Sequence, residues 1–385
     1  MQAKGEGLKA KDAKYNLAFY FSPFTFNSYP YRAHKAKTGQ RLKMKKNDLV
    51  FWCEHATRTL RLSPLAFCLL LISCSASTSN IKDTKSVDAF IEQMTTRHHF
   101  DKAELDDLFK TVEIKQDILK RIASPSEGMP WYKYRKIFLT DARIDAGVQF
   151  WRDNAAALAA AEQQYGVPPE IIIAIIGVET LFGKNTGNHR VIDALSTLGF
   201  AYPPRSKFFL SELENFLLLC RDEHLNPSDP LGSYAGAMGM PQFMPSSFRT
   251  YAIDFDHDNR RDIWHSNNDV IASVANYFAK HHWQAGQIVA VPVTAKDSNY
   301  KSALNSNLKP NLSIAELESL NLIISRQIPL DSKVKLLNFE QQQGEELWAG
   351  LDNFYVITRY NHSPLYAMAV YQLSLSILNK KGSFP

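Results

Sequence analysis

Apolar positions recur at helical spacing through most of the chain and give way to short apolar runs after Gly286. Residues 86–122 interleave hydrophobic and charged side chains as amphipathic helices do, for example in Val87-Asp88-Ala89-Phe90-Ile91 and Leu105-Asp106-Asp107-Leu108-Phe109. A second helical region covers 141–165, alanine-rich at 155–161 and stopped by Gly166. Pro168-Pro169-Glu170 opens the next helix, because proline is tolerated in a first turn and a carboxylate suits the positive helix end. Further helices are predicted at 208–223 and 269–281, with a loop rich in Gly, Met and Ser at 232–244. Beyond Gly286 the runs 288–293, 322–324 and 334–337 are β-like. Helical spacing returns from His362 to Leu378, and no internal repeat is evident. The expected class is mainly α (α+β): a helical region at 86–165, a core at 166–285, a small strand-bearing insert at 286–350, and a return to the core at 351–385.

One charge breaks this pattern. Glu179 is the only ionisable side chain between Glu170 and Lys184, within Ile171-Ile172-Ile173-Ala174-Ile175-Ile176-Gly177-Val178-Glu179-Thr180-Leu181-Phe182-Gly183. Lost hydration favours the neutral carboxyl, so a raised pKa is expected. A carboxyl group that keeps its proton near neutrality is what a general acid requires. The apolar run alone serves equally for a structural Glu paired with an Arg or reaching out from a helix end.

Composition changes the picture at the N-terminus. The chain carries a net charge of +5, but residues 1–73 hold 13 Lys/Arg against 4 Asp/Glu, leaving 31 against 35 for residues 74–385. Without the N-terminal part the protein is mildly acidic, which removes the case for a nucleic-acid partner. Cys53, Cys68 and Cys74 precede the folded region and only Cys220 lies within it, so neither an internal disulfide nor a cysteine metal site is expected there. The apolar run at 62–73 follows Arg58 and Arg61, is too short to span a bilayer comfortably, and suits a signal-peptide core. It ends Leu71-Ile72-Ser73-Cys74, which resembles a lipobox in which Cys74 is lipidated; the alternative is a buried helix with an incidental cysteine. Ser75 resembles the outer-membrane sorting pattern. Met44-Lys45-Lys46 would open a conventional signal peptide, so translation is expected to start at Met44, with residues 1–43 upstream of the true start and residues 74–85 forming a polar linker.

Three long motifs carry a family resemblance. Gly166-Val167-Pro168-Pro169-Glu170 with Ile176-Gly177-Val178-Glu179-Thr180 and Phe182-Gly183 resembles the catalytic helix of the membrane-bound lytic murein transglycosylase B family. So do Ala235-Gly236-Ala237-Met238-Gly239 with Gln242-Phe243-Met244-Pro245-Ser246-Ser247, and Arg359-Tyr360-Asn361-His362-Ser363 with Tyr366-Ala367-Met368. The similarity runs from about Trp131 to about Gln372 and is weakest in the insert. It implies a lysozyme-like core in which Glu179 is the sole catalytic carboxylate, cleaving the MurNAc–GlcNAc β-1,4 bond of peptidoglycan glycan strands without water. Glu179 would act first as acid and then as base, closing a 1,6-anhydro ring. Two alternatives are a hydrolytic muramidase and a non-catalytic peptidoglycan-binding lipoprotein. Carried over by position, Tyr134, Ser233, Gln242, Tyr360, Asn361 and Tyr366 line the sugar cleft, and Arg205 meets peptide carboxylates. Two departures stand out: Pro204 replaces a frequent second Arg, and Met240-Pro241 replaces a Tyr-Gly-like pair before Gln242.

Asp254, Asp256, Asp258, Arg260 and Asp262 occupy alternate positions of a calcium-loop pattern, with Arg260 offering only its carbonyl. His265 stands at the twelfth position and Asn259 at the sixth, so a solvated acidic turn fits the spacing about as well. The resemblance implies a lengthened EF-hand-like loop over 254–269, closed by Asp269. It would hold structural Ca2+, or Na+ in its place, with no organic cofactor. It also implies lipid anchoring through Cys74 at the periplasmic face of a Gram-negative outer membrane, with cell-wall synthesis or division proteins as candidate partners.

Overall fold

The computed structural model describes residues 84–123, 129–324 and 328–382. The signal-like segment, Cys74 and most of the polar linker lie outside the described residues, and among those described no helix is long and apolar enough to cross a membrane.

The amphipathic stretch 86–122 forms three short helices, α1 (Thr84–His98), α2 (Lys102–Lys110) and α3 (Gln116–Ile122). Asp101 caps α2 by accepting from the Glu104 amide. Next come α4 (Trp131–Phe138), α5 (Asp141–Asp153) and α6 (Ala155–Tyr165), the last ending at Gly166 in the left-handed conformation (φ 71°). Helix α7 (Pro169–Thr180) follows, with every residue but Glu170 buried. A helix that is apolar all round has to lie inside the molecule, and α7 packs against α5, α6, α11 (Asn267–Lys280) and α14 (Pro364–Gly382).

Several elements carry no clear periodic signal. Helix α8 (Val191–Ala201) is buried continuously from Val191 to Gly199, so no polar face marks it. It leads to α9 (Ser206–Asp222) and, after the 232–244 loop, to α10 (Pro245–Tyr251). Cys220 on α9 is buried, and burial pushes its thiol up to about 12, leaving an inert apolar group as its sequence context suggested. A two-stranded ribbon joins β1 (His189–Arg190) to β2 (Leu231–Gly232).

The strands after residue 286 are β3 (Ala290–Ala295), β4 (Leu312–Ser313), β5 (Leu322–Ile324), β6 (Lys333–Glu340) and β7 (Glu345–Gly350). Helix α12 (Ile314–Ser319) interrupts them, and α13 (Asp352–Tyr360) leads back to α14. The sheet order is β4-β6-β7-β3-β5, antiparallel throughout. Its two faces serve two cores. Val334, Leu336, Val291 and Val293 close a small cluster over Leu317, while Leu337, Phe339 and Trp348 join the main helical core. Phe339 rests on Trp131 of α4, ring centres 5.2 Å apart, and Trp131 stacks on Tyr134 at 6.3 Å. The sheet thereby supports the helix that carries Tyr134.

Glu212 of α9 is 4% exposed and accepts from the Ser246 amide (2.9 Å) and hydroxyl (2.7 Å) in the first turn of α10. Burial raises its pKa above the ordinary 4.5, against the pull of those donors and of Arg205. The folded protein therefore holds this proton more tightly than the unfolded chain does. The stability it contributes is complete below about pH 4.5 and falls as pH rises through the folded-state value. In denaturant titrations Glu212→Ala is expected to cost about 1–3 kcal/mol. Glu212→Gln should cost less and flatten the decline of stability above pH 4.5.

Candidate active site

Helix α7 stops abruptly one residue after Glu179. Leu181, Phe182 and Gly183 are all left-handed (φ 52°, 58° and 83°). The Leu181 amide donates to Gly177 O and the Phe182 amide to Ile176 O, the paired bonds that close a helix C-terminus. Left-handed backbone costs a non-glycine residue roughly 1–2 kcal/mol. Packing holds it here: the Phe182 ring stacks on Phe150 at 5.4 Å and lies so close to Gly177 that a Cβ there would meet it at 2.8 Å.

This break leaves Glu179 2% exposed at the inner end of α7. Tyr366, fully buried in the first turn of α14, donates its hydroxyl to Glu179 Oε1 at 2.5 Å. Burial, then the charge of Glu179, holds the Tyr366 phenol well above its ordinary value, so it remains a donor. The phenols of Tyr134 and Tyr360 are also raised, first by burial and then by Glu179. Three tyrosines from α4, α13 and α14 thus converge on one carboxyl group.

Glu179 differs from the other buried acids. Among the described residues these are Asp193, Glu212 and Asp269. Asp193 accepts from the Glu113 amide and pairs with Arg190 at 3.1 Å. Glu212 is taken up by Ser246, and Asp269 accepts from the Phe255 and Asp262 amides. Each fixes backbone, whereas the bond seen at Glu179 is to a phenol. The structural roles of Asp193 and Glu212 gave no sequence signal, because their amide donors come from distant segments.

The 232–244 loop forms the facing wall. Thr180 donates to Met240 O (2.9 Å), Tyr360 donates to Pro241 O (2.5 Å), and the Met240 amide donates to Ile263 O (2.9 Å). The departure at Met240-Pro241 is therefore held at both carbonyls, and the Met240 side chain packs on Gly183. Gln242 is left-handed (φ 53°), with its amide nitrogen donating to Gly239 O and Thr186 O. Gln242 Oε1 and Asn361 Oδ1 are buried and accept nothing among the described residues. A buried unpaired acceptor costs about 1–3 kcal/mol, so both suit a ligand that brings N–H or O–H groups.

Two further residues expected at the cleft have protein partners of their own. The Ser233 hydroxyl accepts from the Ala235 and Ala237 amides and shapes its own loop, with the residue 1% exposed. The Arg205 guanidinium lies over Phe208 and Phe209, at 4.5 and 5.0 Å from the ring centres.

In the acidic loop, Asp254, Asp256 and Asp269 bring carboxylate oxygens within 4.8 Å of one another. Asp269 is fully buried, and burial followed by the charges of Asp256 and Asp254 raises its pKa. Asp258 stands apart, accepting from the Arg260 amide. The loop is tied to the catalytic wall through Ile263, one residue beyond Asp262, whose amide Asp269 holds.

This architecture is shared with known proteins. The family described as "Transglycosylase SLT domain" matches residues 82–375. Membrane-bound lytic murein transglycosylase B of Escherichia coli K12 is 41% identical over 298 residues, covering 75% of this chain and 81% of that protein. The soluble lytic transglycosylase SltB1 of Pseudomonas aeruginosa is 50% identical with a TM-score of 0.74, covering 77% of this chain and 100% of that one. Slt35 of Escherichia coli, solved in complex with calcium, is 41% identical with a TM-score of 0.73, covering 77% and 94%. With both the sequence and the helical core matched over most of its length, the chain belongs to the transglycosylase SLT family.

Proposed function

We propose that the protein is a lytic transglycosylase that cleaves the MurNAc–GlcNAc β-1,4 bond of peptidoglycan, with Glu179 as acid and then base. The observation that carries this is the buried Glu179 carboxyl bonded to Tyr366, in a core that also holds two buried amide oxygens, of Gln242 and Asn361, without partners among the described residues. Protonated Glu179 gives its proton to the glycosidic oxygen as the C1–O bond breaks and positive charge develops at the MurNAc anomeric carbon. The N-acetyl group of the substrate stabilises that charge. The C6 oxygen then bonds to C1 as Glu179 removes the C6 hydroxyl proton, so the carboxyl is restored and no water is consumed. Hydrolytic enzymes that use two carboxylates need a second one placed across the bond. Among the described residues the other buried acids are all committed to backbone amides. Tyr134 and Tyr360 offer ring faces to the sugars, and Gln242 Oε1 and Asn361 Oδ1 accept from N-acetyl or hydroxyl groups.

The acidic loop suits a calcium ion. Three converging carboxylates repel one another without a cation, and oxygen-only donors are what Ca2+ takes. Asp254, Asp256 and Asp269 would hold it, with Asp258 and the Arg260 carbonyl completing the set read from the sequence. When bound, the ion would supply charge neutralisation that pins the loop to α11, a structural role and not a catalytic one. For the N-terminal segment, the lipobox-like Leu71-Ile72-Ser73-Cys74 supports lipidation of Cys74 and tethering at the periplasmic face of the outer membrane.

Digestion of sacculi followed by mass spectrometry tests the reaction. The wild type is expected to release anhydro-muropeptides, each one water lighter than a hydrolysis product. Glu179→Gln should lower turnover about 10²–10⁴-fold while keeping sacculus binding. Hydrolysed products, or retained turnover in the variant, would overturn the assignment. Tyr366→Phe removes a donor that favours ionised Glu179, so the basic limb of the kcat profile should move to higher pH with lower kcat; an unmoved limb would refute that role. Calcium at 100 times its Kd should add about 2.7 kcal/mol, several degrees in Tm over chelator. Asp269→Asn should abolish that increment.

A further inference from the structure

A cavity of about 370 Å³ lies between the β1–β2 ribbon and the far side of the acidic loop. That volume falls within the range of small-ligand pockets. It adjoins the catalytic wall, since Thr186, which lines it, accepts through its carbonyl from the Gln242 amide at 3.1 Å. Pro230, Leu231 and Trp264 give it an apolar side. Leu231 is 46% exposed, and the Trp264 indole N–H is fixed to Leu231 O at 3.2 Å.

Its charged groups fall into two kinds. Arg261 and Glu223 neutralise each other, with Arg261 also lying over the Phe248 ring, and the Asp262 carboxylate accepts from the Trp264 and His265 amides. Arg260 and Asp229 also line the cavity, and neither forms an ion pair with the other or with any described residue. Arg260 is exposed, lines the cavity and engages the acidic loop through its backbone amide. An unpaired cation and an unpaired anion beside a fixed apolar wall match a ligand that carries both charges. Peptide ends with an ammonium and a carboxylate have that chemistry, and the MurNAc residues of peptidoglycan bear such peptides.

We infer that this cavity is a site for the zwitterionic end of the peptide on the glycan strand, with Arg260 taking the carboxylate and Asp229 the ammonium. The inference rests on the peptidoglycan reading above and adds the peptide to it. It also supplies a carboxylate-recognising arginine in a chain where Pro204 stands at one frequent Arg position and Arg205 packs on two phenylalanines. An arginine–carboxylate contact is charge-assisted and directional, so its loss should be visible in affinity.

The test is calorimetric binding in the Glu179→Gln background, which separates affinity from turnover. The probes are a soluble disaccharide–tetrapeptide from digested sacculi and the same disaccharide freed of its peptide by an amidase. Arg260→Ala is expected to raise Kd for the peptide-bearing probe roughly tenfold while changing the peptide-free probe far less. Arg260→Lys should restore part of the loss. Asp229→Ala should weaken the peptide-bearing probe as well, and N-acetylation of the probe's free amine should erase the difference between Asp229→Ala and its parent. An unchanged ratio of the two affinities in both variants would overturn the inference, as would equal weakening of both probes. Failure of the parent enzyme to form anhydro products would instead strike the reaction assigned to Glu179, which this ratio does not measure.

Discussion

Helix α7 has no polar face, and the rest of the site follows from that constraint. Its isoleucines demand apolar neighbours on all sides, so the molecule is built around it by α5, α6, α11 and α14. A carboxyl group near the end of such a helix is dry by default. The helix stops one residue later, and the chain turns through three left-handed residues. Phe182, wedged between Gly177 and Phe150, holds that turn. The strain of the turn and the burial of the acid therefore fall at one point of the chain, the end of α7.

The turn also links three parts of the molecule that are distant in sequence. Thr180 holds Met240 O, the Met240 amide holds Ile263 O, and the next residue back, Asp262, is held by Asp269. The acidic loop is thus joined by three hydrogen bonds, one of them backbone to backbone, to the residue that follows Glu179. A cation in that loop would act as a structural element and would steady the wall that Thr180 holds, because the chain between them is short. Tyr360 adds a second hold through Pro241 O. The substitution at Met240-Pro241 is tolerated since the wall is fixed by its carbonyls and one amide, which depend little on the side chains present.

Glu179 was legible in the sequence because burial is a property of a run of residues, and a lone charge in such a run stands out. The helices at 86–122, 141–165 and 208–223 were legible for a related reason, since each has one wet face. Helix α8 was not, because it is buried on every side and its alanine, serine and threonine give no period. Strand β7 was missed as well: Glu345–Gly350 has weak strand character, and pairing with β6 and β3 on its two edges makes it a central strand. The motif residues Gln242 and Asn361 could be named in advance, but that their oxygens lack partners is a three-dimensional fact. Arg260 was read for its carbonyl alone, and the position of its side chain on a second cavity came only from the folded loop.

On the proposed mechanism a single group that is acid and then base has to be comfortable in both charge states, and the tyrosines around Glu179 suit that need. A dry apolar pocket alone would favour the neutral acid so strongly that giving up the proton would be costly. An arginine or lysine partner would have the opposite fault, holding the carboxylate ionised from the start. A phenol lies between these extremes. The Tyr366 hydroxyl donates to the ionised form without adding charge, and its own raised pKa keeps it from losing its proton to the group it serves. Tyr134 and Tyr360 contribute ring area and low polarity while remaining neutral for the same reason. Aromatic hydroxyls are thus side chains that can exclude water and still leave one carboxyl group able to change its charge, as the proposed cycle requires.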